Sequence, residues 1–436
     1  MERAAMSKLT AWREAGPRRP LLVRGARQVG KTWLLKEFGK RHYARTVYVD
    51  FDADPAARRL FASGLPLDRV IAGLALAAGG PIDPADTLLV LDEIQECPEA
   101  LAALKYFQET APEYQVVCAG SLLGVALHAG TSFPVGKVDF LDLYPMTFAE
   151  FLQGLGREDW ASALAAGEFD ILAAYHAELA DLLRRYYYVG GMPEAVAAAA
   201  ETEDPRAARA VQQRVIGAYQ QDFSKHVPPK QVPRLRLIYD SLPDQLAREN
   251  KKFQYSAMKP GSRAKDYELA LQWLTDAGLV LPLYRATAPR LPLTAYTDRR
   301  AFKLFASDVG LLGAMVGLEP AVLVDGNAAF TEFKGALTEQ YVRQELAATS
   351  PRPVRYWTNS SGGAEVDFLV DTGSDVVPIE VKAERNLRAK SLRVYRDKYR
   401  PARALRASMM PFLGHDDGLA ELPLYAIGTL QTILNS

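Results

Sequence analysis

Cysteine is scarce in this chain of 436 residues. Cys97 and Cys118 are too few for a disulfide framework or a four-ligand zinc site, and a reducing cytoplasm is the natural setting. An excess of one charge is also missing. Lys and Arg number 52 and Asp and Glu 52, so the net charge is zero. That excludes a uniformly basic coat for nonspecific nucleic-acid binding, though not local basic patches. Long apolar runs are absent. The stretch VIAGLALAAGG at 70–80 is about half of what a membrane span needs and reads as a buried helix. The amino terminus, MERAAMSKLTAWREAG, is charged throughout and reads as an amphipathic helix, not a signal peptide. No membrane partner is expected. Internal repeats and low-complexity tracts are not evident.

What is present has an ordinary globular balance, 49% hydrophobic and 24% charged. At about 100–200 residues per domain, this length holds about two to four domains.

PLLVR at 20–24 reads as a short buried strand, GARQVGKT at 25–32 follows, and WLLKEFGK opens a helix pattern. This is G-x-x-x-x-G-K-[ST] between a strand and a helix, the context in which it cradles phosphate. Gly25 and Gly30 let the backbone N–H groups converge, and the helix N-terminus adds its positive dipole end. Lys31 is expected on the β- and γ-phosphates, with the Thr32 hydroxyl on Mg²⁺. The nucleotide contacts expected are Gly25, Ala26, Arg27, Gln28, Val29, Gly30, Lys31, Thr32 and Trp33.

TLLVLDE at 87–93 reads as a doubly buried parallel strand with two acids at its carboxyl end. Asp92 is expected to hold Mg²⁺ through water, and Glu93 to polarise the attacking water as general base. YQVVCA at 114–119 reads as the next strand; Ser121 after it is either a γ-phosphate sensor or a helix cap. KVDFLDL at 137–143 reads as another strand. Alternating strands and helices predict a parallel α/β sheet.

The strings GARQVGKT, LLVLDEIQECP, CAGSLLGVALHAGTSFPVGKVDFLDLYPMTFAEFL and YVGGMPEAV resemble a large family of bacterial and archaeal AAA-like ATPases. Members carry a C-terminal domain of unknown function and are related to the signal-transduction ATPases with numerous domains. The resemblance runs through nearly the whole chain. It implies ATP as the nucleotide. It also implies that Gly191-Met192-Pro193 matches a Gly-x-Pro motif by which a helical lid contacts nucleotide through Pro193; a plain helix break is the other reading. Many members have Gly-Arg where this chain has Gly136-Lys137, so no arginine finger is assigned.

Residues 151–202 are rich in alanine and leucine, and 151–228 read as a helical lid. From 229 to 310 the order helix, turn, helix, hairpin reads as a winged helix, with strands continuing through 294–297 and 303–305. Tyr267, Leu271 and Leu274 form the expected buried stripe of its second helix. Lys251, Lys252, Lys259, Arg263 and Lys265 gather at the start of that helix, suited to a DNA groove; packing against protein is the equal alternative.

The last quarter, 311–436, reads as an α/β domain. A helix over 333–346 carries Glu339, and strands follow at 355–359, 365–370 and 377–382. Period-two alternation puts Glu380 and Lys382 on one face, with Asp367 on the partner strand. D…E-x-K with an acid on the preceding helix is the arrangement of the restriction-endonuclease-like superfamily. Glu339, Asp367 and Glu380 supply oxygen ligands for Mg²⁺ or Mn²⁺, and Lys382 would position water or stabilise developing charge. Ordinary solvated acids on a hairpin are the bland reading. The segment 383–408 carries nine Arg and Lys against two acids, suited to a phosphate backbone or to a solvated helix face. LYAI at 424–427 reads as a closing strand.

The expected architecture is therefore α/β: a P-loop core at 1–150, a helical lid, a winged helix and a nuclease-like domain. The expected activity is Mg²⁺-dependent ATP binding and hydrolysis coupled to DNA binding or processing. The alternative is an ATP-operated switch whose C-terminal domain only binds DNA or a protein, a partner or a second copy of the chain.

Overall fold

The computed structural model describes residues 1–16, 18–121, 136–248, 251–259, 261–320, 328–359, 363–383, 390–414 and 417–435. These fall into two compact units. One holds residues 2–144 with 276–278; the other holds Met1, 145–275 and 279–436.

In the smaller unit the order is α1 (Ala5–Glu14), β1 (Leu21–Arg24), α2 (Lys31–His42), β2 (Arg45–Asp50), α3 (Pro55–Ala62), α4 (Leu67–Ala77), β3 (Thr87–Asp92), α5 (Pro98–Thr110), β4 (Gln115–Gly120) and β5 (Asp139–Asp142). The strands form one parallel sheet in the order β2-β3-β4-β1-β5. Every residue of β3 and β4 is buried, which explains their near-continuous apolar runs. α5 contributes Ala100, Leu101, Leu104 and Phe107, the i, i+1, i+4, i+7 stripe of a helix lying on a sheet. Each such leucine contributes about 2 kcal/mol of burial.

The crossed order matters for function. β1 lies between β4 and β5, so the carboxyl ends of β1, β3 and β4 share one edge. That edge presents the turn after Arg24, the pair Asp92-Glu93, and Ser121.

The larger unit begins helical, as expected of 151–228. It contains α6 (Phe148–Gly154), α7 (His176–Val189), α8 (Pro193–Thr202) and α9 (Ala207–His226). Thr147 and Glu150 close a capping box at the start of α6. Tyr186, Tyr187 and Tyr188 are buried in the last turns of α7. Gly190 then takes φ +71°, and Pro193 opens α8 at a position where its missing N–H costs nothing. A Cβ on Gly191 would stand 2.1 Å from the Met146 carbonyl oxygen, so only glycine fits.

α10 (Ala264–Asp276) buries Tyr267, Ala270, Trp273 and Leu274, whereas Leu271 is only half-buried. The stripe is rotated toward Trp273, which packs edge-on to Phe223 at 5.6 Å. β6 (Val280–Ala286) and β7 (Thr297–Ala306) form an antiparallel hairpin. Residues 294–296, expected in a strand, lie in a 3₁₀ turn over Leu293–Tyr296. α11 (Val309–Met315) and the long α12 (Ala328–Thr349) follow, then β8 (Arg355–Thr358), β9 (Glu365–Asp371), β10 (Val376–Val381), α13 (Lys390–Tyr399), β11 (Ala404–Ser408), β12 (Leu413–Gly414) and β13 (Leu419–Pro423).

Among the described residues these strands make one sheet, ordered β12-β13-β11-β10-β9-β8-β6-β7. The hairpin β6–β7 joins the C-terminal strands through β8, so the sheet crosses the boundary expected at 310. β8, β9 and β10 run antiparallel, while β11 lies parallel to β10 after the α13 crossover. The expected strand at 424–427 is instead a 3₁₀ helix, Leu424–Thr429. Leu424, Tyr425, Ala426 and Ile427 are all buried, and a short apolar run has no periodicity to separate the two forms. The turn at 360–362 and the basic residues 384–389 lie outside the described residues. No helix among the described residues is long and apolar enough to cross a membrane.

Candidate functional sites

The loop after β1 has the geometry its glycines foretell. Gly25 sits at φ +153° and Gly30 at φ +92°. A Cβ on Gly25 would meet the Leu143 carbonyl oxygen at 2.2 Å. Gln28 also takes φ +67°, a left-handed turn without glycine. Arg3 fastens the loop from outside: Nη1 donates to the Val29 carbonyl and Nη2 to the Tyr144 carbonyl, each at 2.7 Å. Lys31 opens α2 with its side chain buried, and Nζ donates to the carbonyls of Gly25 and Ala26, both at 2.9 Å. Burial lowers its pKa to about 8, against the pull of Glu93 and Asp92. Trp33 lies two positions on and is exposed.

The Thr32 hydroxyl donates to Asp92 Oδ2 at 2.7 Å. Tyr48, from β2, donates to the same oxygen at 2.7 Å. Burial and the Asp92 carboxylate raise the Tyr48 phenol, so it stays a donor. Asp92 Oδ1 accepts from the Glu93 amide at 2.9 Å. Glu93 takes φ +48°, turning its side chain at the end of β3. One Glu93 oxygen accepts from the Ser121 hydroxyl at 3.3 Å, and the other from the Gln95 amide. The structure thus brings Gly25, Lys31, Thr32, Asp92, Glu93 and Ser121 to one edge of one sheet. Asp92 and Thr32 present two oxygens 2.7 Å apart, a pair suited to Mg²⁺.

Pro193 stands in the larger unit. Its motif is held by Asp308, whose carboxylate accepts from the Gly191 amide at 2.6 Å and the Leu311 amide at 2.9 Å. Gln344 on α12 donates to the same Asp308 at 3.3 Å and to the Tyr186 hydroxyl at 2.8 Å. Burial lifts Asp308 to about 6 despite these donors.

A second cluster lies in the larger unit, on α12, β7, β9 and β10. Glu339, Asp367 and Glu380 lie in it, and Lys303 and Lys251 lie among them. Lys303 on β7, 1% exposed, places Nζ 2.6 Å from Glu365, 3.3 Å from Glu339 and 3.9 Å from Asp367. Lys251 pairs with the other Glu339 oxygen. Lys382 pairs with Glu380 at 2.6 Å, and the Val381 amide donates to Asp367 at 2.8 Å. Burial opposes charge on Lys303, but Glu339, Glu365 and Asp367 outweigh it and raise its pKa. Burial opposes the Glu339 charge too, yet Lys303 and Lys251 hold it down to about 2. Asp367 is pushed up by burial and by Glu339, and Glu380 by burial. Among the described residues no three His, Cys, Asp or Glu are arranged to hold a metal ion.

Residues 17–152 match the family described as AAA domain. Residues 180–322 and 334–415 match two families described as domains of unknown function, DUF8612 and DUF4143. Comparison with curated proteins gave no match. Solved structures give distant likenesses. The Walker-type ATPase paby2304 of Pyrococcus abyssi is 15% identical, over 72% of this chain and 95% of that one, with a TM-score of 0.46. Cdc6p from Pyrobaculum aerophilum is 14% identical, over 72% and 92%, with a TM-score of 0.26. The Aeropyrum pernix Orc1 protein in complex with DNA is 14% identical, over 72% and 91%, with a TM-score of 0.29.

Residues 17–152 form an AAA-like P-loop ATPase domain. Two members of this ATPase domain's site escaped the sequence reading. Tyr48 carries a faint signal, a tyrosine near the carboxyl end of the strand beside β3. Arg3 carries none, because its partners are backbone carbonyls 26 and 141 positions away. In the larger unit, Lys303 and Glu365 were missed, and Lys251 was assigned to a DNA-facing group. The other four of that group, Lys252, Lys259, Arg263 and Lys265, are exposed. In the basic segment Arg406 is tied to Glu421 at 2.7 Å and Arg396 to Asp417 at 2.9 Å, while Lys390, Arg393 and Lys398 are exposed on α13.

Proposed function

We propose that the chain is a Mg²⁺-dependent ATPase whose nucleotide state controls DNA binding by its larger unit. The observation that carries the ATPase half is the Thr32–Asp92 pair beside Glu93 and Ser121. Lys31 would turn from the loop carbonyls it satisfies to the substrate's phosphates, and Thr32 and Asp92 would hold Mg²⁺, which would supply neutralising charge. Glu93, fixed by Ser121 and Gln95, orients and deprotonates the attacking water. Ser121 then reports the γ-phosphate through Glu93.

DNA is supported by the exposed Lys252, Lys259, Arg263 and Lys265 around the start of α10, in the helix–turn–helix–hairpin order of a winged helix. The larger unit contains the order α12-β8-β9-β10-α13-β11, with Asp367 on β9, Glu380 near the end of β10 and Lys382 just after it. That order supports a restriction-endonuclease-like fold and, as a second reading, DNA processing with Asp367, Glu380 and Lys382 as its catalytic residues. Lys303, lying among the carboxylates, favours a module that binds without cutting.

The test uses purified chain with labelled linear, single-stranded and branched DNA, in Mg²⁺ and Mn²⁺, with and without ATP. Anisotropy reads binding and gels read cleavage. ATP-dependent affinity that Lys252→Ala/Arg263→Ala weakens supports the proposal. No affinity in any nucleotide state sinks it and redirects the search to a protein partner. Cleavage lost in both Asp367→Ala and Lys382→Ala establishes the second reading.

A further inference from the structure

A divalent cation at Glu339, Asp367 and Glu380 needs about six oxygen ligands at about 2.0–2.6 Å. The structure puts a lysine nitrogen against the first two of these, and Lys382 against Glu380. Lys303 Nζ lies within 4 Å of Glu365, Glu339 and Asp367. Nζ also lies over the Tyr356 ring, 5.3 Å from the centroid. The strand β7 fixes where that side chain starts, because Lys303 is paired with Leu283 of β6. With 1% of the side chain exposed, the ammonium is buried among these carboxylates. Displacing it would leave a buried, unpaired charge, which proteins avoid.

The charge count agrees. Glu339, Glu365, Asp367 and Glu380 face Lys251, Lys303 and Lys382, so four acids meet three bases. At most one negative charge is left, since burial disfavours charge on Asp367 and Glu380, and a divalent ion would overshoot it. Within the cluster, Glu380 Oε2 is buried without a hydrogen-bond partner among the described residues. One orphan oxygen falls far short of a coordination shell.

We infer that the Lys303 ammonium is the resident cation of this carboxylate cluster, standing beside the acids that the sequence pattern offers to a divalent ion. The larger unit then acts without a metal of its own. Glu339, Asp367 and Glu380 are held by lysines rather than by Mg²⁺ or Mn²⁺, and they serve to fix α12 against β7, β9 and β10. This deepens the binding-only reading above and rests on it. Its test uses neither DNA nor nucleotide, so the two ideas fail separately.

Mn²⁺ binding to the nucleotide-free full chain, followed by electron paramagnetic resonance, decides the matter. Wild type, Asp367→Asn, Glu339→Gln, Lys303→Met and the Lys303→Met/Asp367→Asn double variant are compared. Wild type is expected to bind no Mn²⁺ that Asp367→Asn or Glu339→Gln removes. Lys303→Met is expected to gain one site per chain, at least tenfold tighter than anything in wild type, and the double variant to lose it. Mn²⁺ binding by wild type that either acidic substitution abolishes would overturn the inference. A folded Lys303→Met that gains no site would overturn it too. Should Lys303→Met fail to fold by circular dichroism, wild type against the two acidic variants decides alone.

Discussion

The Asp308 carboxylate accepts the Gly191 amide at 2.6 Å across 117 residues of sequence. It joins the turn before α8 to the start of α11, and through Gln344 to α12. α12 in turn carries Glu339 of the carboxylate cluster. One buried acid therefore ties the Gly-Gly-Met-Pro turn to the helix beneath the second site. Asp308→Ala is expected to strip two backbone amides of their acceptor and to destabilise the larger unit by about 2–4 kcal/mol. Urea unfolding followed by tyrosine and tryptophan fluorescence checks it; a midpoint equal to wild type contradicts the role.

Gly191→Ala tests the same turn from the other side. The added Cβ meets the Met146 carbonyl oxygen at 2.1 Å, a backbone atom that cannot swing away. A loss of at least about 2 kcal/mol is expected, from strain rather than from a missing bond. The readout is again the urea midpoint.

Glu93→Gln is expected to keep ATP binding and lose turnover by about 10²–10⁴-fold, the contribution typical of a general base. Tight nucleotide binding by filter assay together with phosphate release near background is the signature. Equal turnover in the variant would remove Glu93 from the mechanism.

Tyr48→Phe leaves Asp92 Oδ2 with Thr32 as its remaining side-chain donor among the bonds described. Groups that orient a metal-binding carboxylate typically change metal affinity by about 10–100-fold. The Mg²⁺ concentration for half-maximal ATPase activity should rise about tenfold, with kcat at saturating Mg²⁺ near wild type. An unchanged Mg²⁺ titration refutes this.

Glu345 supplies the pH prediction. It is buried on α12 and accepts the Phe148 amide at 2.7 Å. Burial, aided by Glu150, raises its pKa to about 8 from an ordinary value of 4.5. Between those values the folded state holds a proton that the unfolded state has released. Its contribution therefore falls as pH rises from about 4.5 to about 8 and is flat beyond. Glu345→Gln keeps an acceptor and removes the titration. It should gain on wild type between pH 5 and pH 8.5, with a ceiling of roughly 3–5 kcal/mol. Thermal unfolding at the two pH values reads it, and a constant difference would contradict it.

The smaller unit was largely legible before any coordinates. Its signals are local: two glycines at fixed spacing, a lysine and threonine opening a helix, and apolar strands ending in acids. Backbone sterics and parallel pairing then leave few arrangements. Elsewhere the sequence misled. LYAI looked like a strand because four apolar residues carry no period. Lys251 looked like a DNA contact because exposure cannot be read from charge. The hairpin β6–β7 looked like the end of one domain, yet its free edge pairs with β8.

What the sequence by itself determined, then, is the phosphate loop, the acids that face it, and the alternation that sets Asp367 opposite Glu380 and Lys382. What only tertiary structure decided is who neutralises those acids. Lys303 stands 36 positions before Glu339, and nothing local to either residue announces the pair. A sheet assembled from distant strands brought the lysine in, and burial made that ion pair obligatory once formed.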